Sequence, residues 1–145
     1  MQQSNKEILN FLDDIKNTKV LEIYGDGLDQ IELVYLKNNT TKSLSIQANW
    51  AASSMGFPRW FNFSNEPIKE NRKKSSLFMD LKDINNIEYY KGYDGGDLLL
   101  IKTSKYIYDI THHSDNLLND GKDGIYVYCY NKDLYQIDKY FKLIK

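Results

Sequence analysis

The stretch Ile87–Thr111, IEYYKGYDGGDLLLIKTSKYIYDIT, decides the fold. Three runs rich in Ile, Leu and Tyr are separated by Asp94-Gly95-Gly96-Asp97 and Thr103-Ser104. Asp and Gly tolerate positive φ, so these polar breaks are hairpin turns and the stretch is an antiparallel meander. The unbroken apolar run Leu98–Ile101 predicts a central strand covered on both faces.

Downstream, His112–Gly124 is a polar connection and Ile125–Tyr130 a further strand. There Ile125, Val127 and Cys129 share one face, and Tyr126, Tyr128 and Tyr130 the other. Asn131 can cap a closing helix with Leu134, Ile137, Phe141 and Ile144 on its apolar stripe. Upstream, strands are expected at Val20–Tyr24, Ile31–Leu36, Leu44–Ala48 and Leu77–Leu81. At the start, Ser4 and Glu7 form an S-x-x-E capping box. Ile8, Phe11, Leu12 and Ile15 follow at helical spacing. The expected fold is therefore a single α+β domain over 1–145. Its antiparallel, meander-like sheet of about 6–8 strands carries an N-terminal and a C-terminal helix.

The segment 49–76 breaks the rhythm. It holds Trp50, Phe57, Trp60, Phe61 and Phe63, both prolines, and the basic cluster Lys69, Arg72, Lys73 and Lys74. So long a loop must hide a short element or serve a function, with its aromatics anchoring it. Bases could stack on those aromatics while the cations take phosphates. Glu66 and Glu70 dilute the charge, however, and aromatics at this density normally bury.

Composition excludes several classes. The 145 residues carry 19 Lys+Arg against 20 Asp+Glu, a formal charge of −1. That balance argues against a nucleic-acid coat or a polybasic membrane binder. No apolar run approaches the roughly 18 residues of a membrane span. The opening MQQSNKEILN has no basic region followed by an apolar stretch, so no secretory signal is expected. One cysteine, Cys129, excludes an internal disulfide and fits a reducing, cytoplasmic compartment. Its mid-strand position predicts a buried thiol packing as a small hydrophobe. The abundance of Asn, Lys, Ile and Tyr reads as coding drift in an AT-rich microbial genome.

No high-specificity catalytic motif occurs. The two histidines, His112 and His113, lie between Asp109 and Asp115, and a His beside a carboxylate can act as a general base. Asn119, Asp123 and Gly124 resemble part of a calcium loop that lacks its terminal bidentate carboxylate. No phosphate-cradling glycine pattern is present. No cofactor and no metal are expected.

From Asp94 to Gly124 six Asp stand against three Lys, and ten of the twelve tyrosines lie between Tyr89 and Tyr140. Loop carboxylates beside tyrosines suit a basic protein partner. The expected function is a non-enzymatic binding module that neutralises a bacterial toxin in the manner of an immunity protein. Tyr93, Asp94, Asp97, Asp115, Asp120, Asp123 and Tyr126 would meet the basic toxin domain. The alternative is a small hydrolase or nuclease using His112 or His113 with Asp109 or Asp115. A nucleic-acid-binding accessory protein comes third, and homo-oligomerisation stays open.

Overall fold

The computed structural model describes residues 3–26, 30–50, 59–75, 81–92, 97–114, 123–135 and 141–143. Side chains are described there except at 49–50, 59–60, 92, 111–114, 123–124, 126 and 141–143.

Helix α1 (Asn5–Ile15) starts as its motif predicts. The Glu7 amide donates to Ser4 Oγ at 3.2 Å, and the Ser4 amide donates to Glu7 Oε1 at 3.4 Å. Its stripe of Ile8, Leu12 and Ile15 is fully buried. The Thr18 hydroxyl donates to the Ile15 carbonyl at 2.5 Å, and Asn17, at φ 56°, turns the chain out of the helix.

A first antiparallel sheet follows. It is built from β1 (Thr18–Gly25), β2 (Gln30–Lys37), β3 (Thr40–Trp50) and β4 (Arg59–Ser64), each paired with the next. Asn38 and Asn39 both sit at positive φ, so β2 and β3 join through a tight two-residue turn. Two short strands complete the far edge of β1: β5 (Lys73–Lys74) pairs with Tyr24 and Gly25, and β6 (Asp83–Ile84) with Thr18 and Lys19. Leu21 bulges out of β1, which keeps both Val20 and Ile23 on the core side.

The second sheet contains the predicted meander. β7 (Asn86–Gly92), β8 (Asp97–Lys102), β9 (Tyr106–Ser114) and β10 (Asp123–Asn131) pair in sequence order. β11 (Phe141–Leu143) adds to the free side of β7. Inner-face residues of both sheets form one core with α1, among them Leu33, Tyr35, Ile46 and Phe61 from the first and Ile87, Tyr89, Leu99 and Ile110 from the second. The fold is thus mostly antiparallel β, in two sheets, with one helix among the described residues. No described helix is long and apolar enough to cross a membrane.

Three expectations need revision. The C-terminal helix is replaced by a turn and β11. Asn131 Oδ1 does accept an amide, that of Asp133 at 3.0 Å, but this closes one turn instead of starting a helix. β10 and β11 lie at opposite edges of the second sheet. Just after β10, Tyr135 packs on Leu98, Leu100 and Ile107, while Leu134, expected on the buried stripe, stays 80 % exposed. Burying the Tyr135 ring on the sheet turns Leu134 to solvent. Second, the sheet is two sheets, because the bulky inner faces of both halves bury better against each other than against helices alone. Third, Cys129 is exposed, since β10 is an edge strand. The segment 49–76, by contrast, hides short elements as one of its two expected outcomes had it: β4, whose Phe61 and Phe63 enter the core, and β5. The expected strand Leu77–Leu81 falls almost wholly outside the described residues.

Candidate partner-binding surface

Strand direction decides which loops meet. Antiparallel pairing carries the chain down β7, up β8, down β9 and up β10. The end of β7 and the start of β8 therefore lie at the same end of the second sheet as the end of β9 and the start of β10, and the turn 103–105 lies at the other. Of the aspartates expected at the partner surface, Asp123 stands at that end, at the first position of β10. Tyr93, Asp94, Asp115 and Asp120 lie outside the described residues. Asp123 pairs with Ser114, and Tyr126 pairs with Thr111 further along the same edge.

Asp97 does not belong to that surface. Its side chain is 2 % exposed and faces the core. It accepts from the Tyr89 hydroxyl and from the Phe61 amide at 3.3 Å, with Lys91 Nζ at 3.7 Å. The bond to Phe61 ties the second sheet to the first. Burial pushes the Asp97 carboxyl up to about 6, against the pull of Tyr89, Lys91 and the Phe61 amide. Burial and the Asp97 charge hold the Tyr89 hydroxyl well above its ordinary value.

A carboxyl raised in the folded state favours its protonated form there. Its contribution is present below the unfolded value of about 3.9 and is lost as pH climbs through the folded value. Wild-type stability is therefore expected to fall by roughly 2–3 kcal/mol between about pH 4 and 6 relative to Asp97→Asn. Urea melts across that range measure it. Parallel profiles for the two proteins would exclude a buried, titrating Asp97.

The histidine alternative meets a geometric obstacle. His112 pairs with Ile125 and His113 with Gly124 on a continuous β9. At about 3.3 Å per residue, they stand roughly 10 and 13 Å along the strand from Asp109. Asp109 is engaged elsewhere. The Tyr135 hydroxyl donates to its Oδ2 at 3.0 Å, while Oδ1 has no partner among the described residues. Burial raises this carboxyl despite the Tyr135 bond. Asp115 lies outside the described residues. Among them no group of three His, Cys, Asp or Glu side chains could hold a metal ion.

What the sequence reading missed is an aromatic stretch along the β10 edge. Tyr128 is 46 % and Tyr130 40 % exposed, and Leu134 follows them in the next turn. Tyr130 also packs on Tyr135, with ring centroids 5.1 Å apart. The strict alternation of Tyr126, Tyr128 and Tyr130 was the available signal, because one face of an edge strand is the face least easily covered.

The basic cluster after Trp60 is partly consumed by the fold. Arg72 binds the buried Glu32 through Nε at 2.8 Å and a terminal nitrogen at 3.0 Å, and lies 3.6 Å from the centroid of the Tyr24 ring. Lys73 and Lys74 form β5. No family model, curated protein or solved structure gives a significant match to this chain.

Proposed function

We propose that the protein is a non-enzymatic binding module of the toxin-neutralising, immunity type, and that it occludes a basic protein partner. What supports this reading is that strand direction sets the strand ends flanking 93–96 and 115–122, segments that carry Asp94, Asp115 and Asp120, at one end of the second sheet. Asp94, Asp115, Asp120 and Asp123 supply charge complementarity there. Tyr128, Tyr130 and Leu134, continuing up the same edge, supply apolar contact area. Aromatic anchors dominate interface energy, whereas rim charges chiefly set encounter rate.

The test is binding kinetics against a partner captured from the source cell, run from low to high salt. Lysine substitutions at Asp94, Asp115 and Asp120 are expected to slow association, an effect screened over about 8–10 Å by salt. Tyr128→Ala or Tyr130→Ala should instead speed dissociation and cost about 2 kcal/mol. Association indifferent to both salt and the lysine substitutions would refute the acidic surface.

A further inference from the structure

At the end opposite the aspartate-bearing connections, the two sheets part around a cleft of about 790 Å³. One wall comes from the start of β1 and from β6, the other from the β8–β9 turn. Three lysines line it: Lys19, Lys82 and Lys105. None of them has an ion-pair partner among the described residues. Some lysines elsewhere are paired, as in Lys42–Asp14 at 2.8 Å and Lys102–Glu88 at 2.8 Å, so what marks these three is that they share one cleft. Asp83 is the only carboxylate in the lining. It is the cross-strand neighbour of Lys19, yet makes no ion pair with it. The lining keeps a formal charge of +2, with Asn85 and Ser104 as neutral donors.

The backbone fixes this arrangement. The Lys82 carbonyl accepts the Val20 amide at 2.6 Å. Thr103 Oγ1 accepts the Lys105 amide at 3.3 Å and the Tyr106 amide at 2.9 Å, which sets the turn. The Asn85 amide donates to the Lys102 carbonyl at 2.9 Å and so joins the two walls. Three lysines on anchored backbone give one cleft an excess of positive charge, which favours an anion there. The volume falls within the range that holds small ligands. A mostly polar lining disfavours an acyl chain, and lysine suits phosphate as a compact point charge with three donors.

We propose that this cleft binds a small, soluble ligand bearing one or more phosphate groups. It is distinct from the acidic end and does not depend on the function proposed above.

The probe is inorganic tripolyphosphate, titrated calorimetrically into the full chain. One saturable site is expected. Lys19→Gln, Lys82→Gln and Lys105→Gln should each weaken it roughly three- to tenfold, as expected of exposed charge-assisted contacts. Asp83→Asn should tighten it. Lys6→Gln and Lys69→Gln, which alter the same net charge away from the cleft, should leave it unchanged. All six side chains are exposed or at the surface of their elements, and thermal melts check that each variant folds. Absence of saturable binding at millimolar probe would overturn the proposal, as would equal weakening by the two control substitutions. A single-stranded oligonucleotide that binds more tightly than tripolyphosphate through the same three lysines would replace it with a nucleic-acid site.

Discussion

Arg72→Ala is expected to destabilise the fold by about 3–5 kcal/mol, although Arg72 is itself at the surface. The reason is Glu32, whose side chain is fully buried beneath the segment that follows β4. Its carboxylate accepts from Arg72 twice, from the Ile68 amide at 3.0 Å and from the Ser43 hydroxyl at 2.8 Å. Burial alone would raise this carboxyl. The Arg72, Ile68 and Ser43 hydrogen bonds together with the Arg72 charge outweigh it and hold the group below its ordinary value. In wild type, then, the pair contributes stability above the unfolded value of Glu32, and that contribution is lost as pH falls through the folded value. Removing the guanidinium leaves a buried charge with two neutral donors. Burial then governs, the folded value rises above the unfolded one, and the variant should lose stability as pH rises. The deficit relative to wild type should therefore be larger at pH 7 than at pH 4.5 in urea melts. Glu32→Gln placed on Arg72→Ala should recover part of the loss, because no charge remains to be desolvated. A deficit below about 1 kcal/mol at neutral pH would mean that Glu32 reaches water without Arg72.

Leu99→Ala should cost about 2–5 kcal/mol, the range for removing a leucine side chain from a packed core. Leu99 is fully buried on β8, between Tyr89 of β7 and Ile110 of β9. Its cluster also holds Leu12 and Ile15 of α1 and the inner face of the first sheet. A cavity there opens where both sheets and the helix meet, and no mobile surface element can collapse into it. Leu134→Ala, at an 80 % exposed position, should stay within about 0.5 kcal/mol. Equal losses in the two variants would contradict the placement of the core between the sheets.

Legibility followed the range of the interaction. The α1 start was readable because its cap, Ser4 to Glu7, spans three residues. The meander was readable because its turns are local and its strands pair with their chain neighbours. The basic cluster misled, because its strongest member is neutralised by Glu32, forty residues away in the chain. The aspartates were read as one class, yet Asp97 ended in the core and Asp94 in a hairpin connection. Residue type and local turn chemistry are alike at the two positions. What draws Asp97 inward is that the Tyr89 hydroxyl and the Phe61 amide stand opposite it. The exposed tyrosines were visible as an alternating set, but their exposure depended on β10 being an edge strand.

By itself the sequence determined the strand-rich composition, the helix at the start, the hairpin-linked meander and the apolar side of each strand. Each of these rests on bonds or periodicities spanning a few residues, which the chain satisfies wherever it is placed. Only the tertiary structure decided that the strands divide into two sheets and that Phe141–Leu143 pairs with β7, at the edge opposite β10. It alone decided, too, that Asp97 turns into the core and that Lys19, Lys82 and Lys105 line one cleft. These outcomes depend on which apolar faces bury most area against each other and on strand direction summed over the whole sheet, and no short window of sequence contains either quantity.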